Sequence, residues 1–203
     1  MKMMLVAILL VAFSASAQTH RDPLIDREVD EMRESAQNPK QRIDYLIGFA
    51  RERVLAIERL RTPTQPGLND DGKMAELLGD LAALIDELDD NLEMYNSHSE
   101  DLRHPLRHVI DAESEFQQKL KALSDNATPL RKHRIAVALE DASDSLHDST
   151  ESARAMLADQ LEKKGAEKND EKVSHRRHAS DAEDPPPDDE AGMGGVRTSP
   201  SQR

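Results

Sequence analysis

The chain has 203 residues, of which 33% are charged and 2% aromatic, with a formal net charge of -13 and no cysteine. Without cysteine there can be no disulfide, thiolate metal site, CxxCH haem attachment, lipid-anchored cysteine or thiol nucleophile. Acidity and the scarcity of rings argue against nucleic acid, which needs clustered Lys and Arg and stacking platforms.

The chain opens MKMMLVAILLVAFSASAQ. Lys2, a short apolar core over residues 3–13 and the small triplet Ala15-Ser16-Ala17 form the pattern of a cleaved export signal. Residues 1–17 are therefore expected to be a signal peptide, leaving a mature chain from Gln18 in the periplasm or outside the cell. The short signal and the missing disulfides point to a bacterial source. No later segment reaches the run of about 18 apolar residues that a membrane helix requires.

Helix starts are marked by Asp22-Pro23, Asn38-Pro39, His104-Pro105 and Thr128-Pro129, because proline at the first helical position loses no hydrogen bond and Asp, Asn and Thr cap well. Asn38 with Gln41 resembles a capping box. A fifth start lies at Asn69-Asp70-Asp71-Gly72, after the breaker run Thr62-Pro63-Thr64-Gln65-Pro66-Gly67.

Apolar residues then recur at helical spacing. Residues 23–36 carry Ile25, Val29, Met32 and Ala36. Residues 39–61 carry Ile43, Ile47, Ala50, Val54 and Ile57, widened by Leu46, Phe49 and Leu60. Residues 73–96 carry Met74, Leu78, Leu81, Ile85, Leu88, Leu92 and Tyr95. Residues 105–124 carry Leu106, Val109, Phe116, Leu120 and Leu123, and residues 129–164 carry Ile135, Leu139, Ala142, Leu146, Ala153 and Met156. No strand pattern occurs.

Short connections favour antiparallel neighbours. The expectation is an all-α, up-and-down bundle of four long helices with a short N-terminal helix laid against it, occupying residues 18–164. Ala138, Ala142, Ser145, Ser149 and Ser152 on the last helix would let a neighbour approach closely. Residues 165–203, poor in large apolar side chains and carrying Pro185-Pro186-Pro187, are expected to be a disordered acidic tail. Its His175-Arg176-Arg177-His178 reads as solvated rather than as a ligand set.

Charge is uneven. Residues 39–61 hold six Lys or Arg against three acids, residues 70–96 hold nine acids against Lys73, and residues 140–151 hold five acids and no Lys or Arg. This pattern serves either complementary packing between helices or an acidic docking face for a basic protein partner.

In HPLRHVIDAESEF, residues 104–116, His104, His108, Asp111 and Glu115 share one helical face. Each stands two residues from a seam position, roughly 200° around the helix, so the face should point to solvent. A metal site needs fixed ligands and exclusion of water, so this face is read as solvated, and His104 as a cap. Glu113 differs: it occupies the seam between Val109 and Phe116, where a carboxylate must be paired, protonated or partly wet. It is either a register device paired with Arg51, Arg53 or Arg134, expected to lower its pKa, or an acid–base group with a raised pKa.

HExxH, GxGxxG, GxxxxGKS and GxSxG are absent. Aligning Gly72 with the invariant glycine of a calcium loop puts Gly67 and Leu78 where carboxylates are required. Asn126-Ala127-Thr128 matches the glycosylation pattern but reads as a loop. Gly48 and Gly79, each weakening a helix by about 0.5–1 kcal/mol relative to Ala, are expected to mark close helix packing, or else a pocket mouth.

The functional expectation is a non-catalytic, exported interaction or scaffold module without a cofactor. The alternative is a periplasmic bundle holding a ligand, metal or haem, for which Met32 and His147 are the nominal ligands.

Overall fold

A computed structural model describes residues 22–61 and 70–180, and the side chains of those up to 166. All elements within them are helical: α1 (Asp26–Glu34), α2 (Pro39–Arg61), α3 (Asp70–Ser97), α4 (Arg103–Asn126) and α5 (Pro129–Ser180). The signal-peptide segment and the breaker run after Arg61 lie outside the described residues.

Two of the proline starts behave as expected. Asn38 Oδ1 accepts the Gln41 N–H at 3.2 Å ahead of α2, and Thr128 Oγ1 accepts the Arg131 N–H at 3.3 Å ahead of α5. The other two do not. After Asp22-Pro23 the helix begins only at Asp26, because the Pro23 carbonyl is held at 2.6 Å by the Arg53 guanidinium instead of by a helical N–H. Before α4 the cap is Leu102, two residues earlier than expected. The Leu102 N–H is taken at 2.9 Å by Gln160 of α5 and the Arg103 N–H by Asp101. His104 thus lies inside the first turn, where Pro105 still needs no donor.

Polar contacts fix the order of the bundle. Arg42 reaches Asn91 and Arg53 reaches Asp80, so α2 and α3 are antiparallel. The contact Asp44–His108 and the ion pairs Arg51–Glu115 and Glu58–Lys119 climb α2 and α4 together, so these two are parallel. Glu113 meets Ser149 while Gln117 meets Leu146, which makes α4 and α5 antiparallel. Asp71 meets Arg131 and Asn96 meets Gln160, which makes α3 and α5 parallel. Direction alternates along the chain as expected, but the order around the core is α2–α3–α5–α4. Consecutive α3 and α4 sit on a diagonal, joined by residues 98–102, in which Ser99 takes φ 63°.

The core follows the predicted stripes of α2 to α5: Ile43, Ile47, Val54, Met74, Leu78, Ile85, Leu92, Val109, Phe116, Leu120, Ile135 and Leu146 are all buried. The stripe of α1 is different. Ile25 is 52% exposed, and the buried face carries Glu28, Met32 and Ser35. The bidentate grip of Arg53 on Glu28 turns that face inward. The expectation for Gly48 and Gly79 also changes. A Cβ at either would meet nothing within 4 Å, so close packing does not explain them.

α5 does not stop at Lys164. It continues as helix through Ser180, while the compact unit that holds the bundle ends at Leu161. Residues 166–180 are rich in Ala, Glu, Lys and Arg, which favour helix without burial, and no proline follows Pro129 until Pro185. Residues 181–203 lie outside the described residues.

Candidate functional site

Glu113 stands midway along α4, one step of four from Val109 and one of three before Phe116, and is 0% exposed. None of the three expected arginines reaches it. Arg51 is 3.7 Å from Glu115 and lies over the Phe116 ring, Arg53 is held by Glu28, and Arg134 by Asp71. The seam position instead faces α5 at Ser149 and Thr150, in a segment with no Lys or Arg. Ser149 Oγ donates to Oε1 at 2.8 Å, and Thr150 Oγ1 lies 2.9 Å from Oε2.

Burial pushes the Glu113 carboxyl up to about 7, and the negative charge of Asp89 adds to the rise. The Ser149 and Thr150 contacts and the charge of Arg154 oppose it without cancelling it. The expected lowering by an arginine is therefore corrected to a rise, because a hydroxyl solvates a carboxylate far less than a bidentate guanidinium does.

The histidine face resolves into separate contacts. His104 and Asp111 are exposed. His108 Nδ1 is 3.2 Å from Asp44 Oδ1, with both side chains 44% exposed. Glu115 is shared by Lys119 at 3.0 Å and Arg51 at 3.7 Å, and these charges hold its carboxyl low. His108 and Glu115 thus form the half-exposed rim of the α2–α4 contact rather than a purely solvated face. Among the described residues no cluster of three or more His, Asp or Glu has metal-holding geometry. Met32 and His147 line different cavities, one beside α1 and α3 and the other between α4 and α5.

Behind Ser149 lies a second feature, a groove of about 520 Å³ between the parallel helices α3 and α5. Asp86 and Asp89 line it from α3, and Asp141, Asp144 and Asp148 from α5. Gly79, Ala82, Ala83, Ser145 and Ser149 complete the wall, so no long side chain fills the space and no basic residue lines it. Gly79 accordingly lines a groove, with open space where a Cβ would stand. The small-residue run on α5 is what leaves the groove open. Asp89 Oδ1 is buried without a hydrogen-bond partner. Burial raises the Asp89 pKa, reinforced by Asp90, Glu93 and Asp86 against the Ser152 hydroxyl.

The sequence reading missed the pair Glu28–Arg53 and the role of Asp89. Arg53 adjoins Val54 within the α2 stripe, a cation beside a core position, which was a usable signal. Nothing local to Asp89 separated it from its acidic neighbours on α3. No helix among the described residues is long and apolar enough to cross a membrane. Comparison with protein-family models, curated proteins and solved structures finds no match to this chain.

Proposed function

We propose that this protein is an exported, non-catalytic helical-bundle module that binds a basic protein segment along the α3–α5 groove. The observation that carries the reading is the lining of that groove: five aspartates, a wall of small residues and no basic side chain. A row of carboxylates with an open floor suits the long, flexible side chains of Lys and Arg, which bury their stems and keep their charges beside the acids. Such a surface also speeds encounter with a cationic partner. Export is supported by the pattern of residues 1–17, and the interaction role by a fold whose polar features lie along helix seams.

The test uses the full mature chain and a lysine-rich peptide of about ten residues as probe, titrated at two salt concentrations. Replacing Asp86, Asp141, Asp144 and Asp148 by Asn should weaken binding at least about tenfold, or roughly 1.4 kcal/mol. Replacing Asp26, Asp30, Glu34 and Asp125 by their amides should change it far less. Equal losses in both variants would mean that the probe senses net charge alone, and the groove would not be the site.

A further inference from the structure

The hydrogen bonds around Glu113 leave two acceptors competing for one hydroxyl proton. Thr150 has one hydroxyl proton and two acceptor positions. Its oxygen lies 2.6 Å from the Leu146 carbonyl oxygen. One proton thus serves two acceptors, the Leu146 carbonyl and Glu113 Oε2. Gln117 Nε2, which also donates to the Leu146 carbonyl, fills one acceptor position of Thr150 at 3.0 Å. The Thr150 hydroxyl, shared in this way, gives an ionised Glu113 Oε2 only weak support across 2.9 Å, whereas a neutral Glu113 can itself donate to Thr150 and leave the Leu146 contact whole. Ser149 directs its own proton at Oε1, where a neutral acid keeps its carbonyl oxygen.

We infer that Glu113 is a proton-operated latch between α4 and α5: the seam is closed while the acid is neutral, and it loosens, together with the Ser149 wall of the groove, when the proton leaves. An ionised Glu113 would draw the Thr150 proton away from the Leu146 carbonyl and set two acceptor oxygens against each other. It would also stand without a counter-charge. From α3 it faces Asp89, a like charge; from α5 the cation acting on it is Arg154, which is exposed. From α2 the cation beside α4 is Arg51, already engaged by Glu115 and the Phe116 ring. Among the described residues no basic group lies at ion-pair distance from Glu113. Because burial places its titration at about 7, the latch responds to the change between a mildly acidic and a mildly alkaline surrounding. The latch stands whether or not the groove takes a basic partner.

The test follows the carboxyl carbon of every glutamate by NMR in the full mature chain, labelled with carbon-13, from about pH 4 to about pH 9. Glu113→Gln identifies the resonance, and its amide can donate to Thr150 and accept from Ser149 at any pH. The Glu113 signal should titrate within about one unit of 7. Amide protection factors in residues 109–120 and 142–153 should fall about tenfold between about pH 6 and pH 8. In Glu113→Gln they should stay flat. A Glu113 signal that titrates below about pH 5, or a Gln variant that loses protection as the parent does, would overturn the latch. If the variant does not fold, the parent chain still decides the matter, because the latch requires a glutamate signal that titrates near 7 and a spectrum without one overturns it.

Discussion

Two glutamates in this protein have no exposed surface, Glu28 on α1 and Glu113 on α4, both 0% exposed, although Glu113 lies deeper. At Glu28 burial also pushes the pKa up, but Arg53 at 2.7 and 2.6 Å, the Ile25 N–H and the charges of Arg53 and Arg27 outweigh it, so the carboxyl is held below its ordinary value. At Glu113 burial meets only hydroxyls and the repulsion of Asp89, and the carboxyl rises. Burial alone therefore does not fix the charge of a core carboxylate. Depth of burial and the donor facing it decide together, and a paired guanidinium supplies both hydrogen bonds and opposite charge. The α1–α2 contact is clamped by an ion pair and the α4–α5 contact by a neutral acid.

The most forceful way to break this contrast is Arg53→Met. It strands the Glu28 charge in a closed site, where losing one partner of a buried pair destabilises by about 3–5 kcal/mol. Chemical denaturation near neutral pH should show that loss, with exchange protection of α1 falling first. Adding Glu28→Gln should restore much of it. A single variant within about 1 kcal/mol of the parent would mean that Glu28–Arg53 does not hold α1.

The second way compares pH profiles. The Glu113 contribution is fully present below its unfolded value of 4.5 and is lost as pH rises through about 7. Relative to Glu113→Gln, the parent should therefore lose about 3 kcal/mol between about pH 4.5 and pH 8. The Glu28 contribution has the opposite sign: it is present above 4.5 and lost on acidification through the lowered folded value. Thermal melts of parent, Glu113→Gln and Glu28→Gln across this range should give curves that diverge at opposite ends. Two variants diverging at the same end would show that the two carboxylates are not distinguished by their partners.

The smallest effect sharpens the contrast by supplying its exposed counterpart. His104→Ala with His108→Ala removes a half-exposed pair to Asp44 and should change stability by no more than about ±0.5 kcal/mol. A larger loss in urea denaturation would make the α2–α4 rim part of what holds the bundle.

Most of the helical architecture was legible locally. The spacing from Met74 to Tyr95 and the Asn38 and Thr128 caps needed only the chain's own period and chemistry, so α3 and the starts of α2 and α5 are as expected. The exception at α1 is instructive. Ile25 and Val29 formed a plausible stripe, yet the helix rolled to bury Glu28, because an Arg twenty-five positions later offered it two hydrogen bonds. A periodic pattern ranks faces by apolar content and assigns nothing to a pair formed across the fold.

The sequence by itself determined that the described chain is helical, where its main seams lie, that Glu113 is the polar residue within one of them, and that acids gather on α3 and α5. It could do so because periodicity, caps and composition act over a few residues. Only the tertiary structure decided that α3 and α5 run side by side, which brings five aspartates around one groove. It also decided that Glu113 faces Ser149 and Thr150 rather than an arginine. Helix order around a core depends on which seams fit one another and on how the connections turn. The state of a buried carboxylate depends in turn on which neighbour that order supplies.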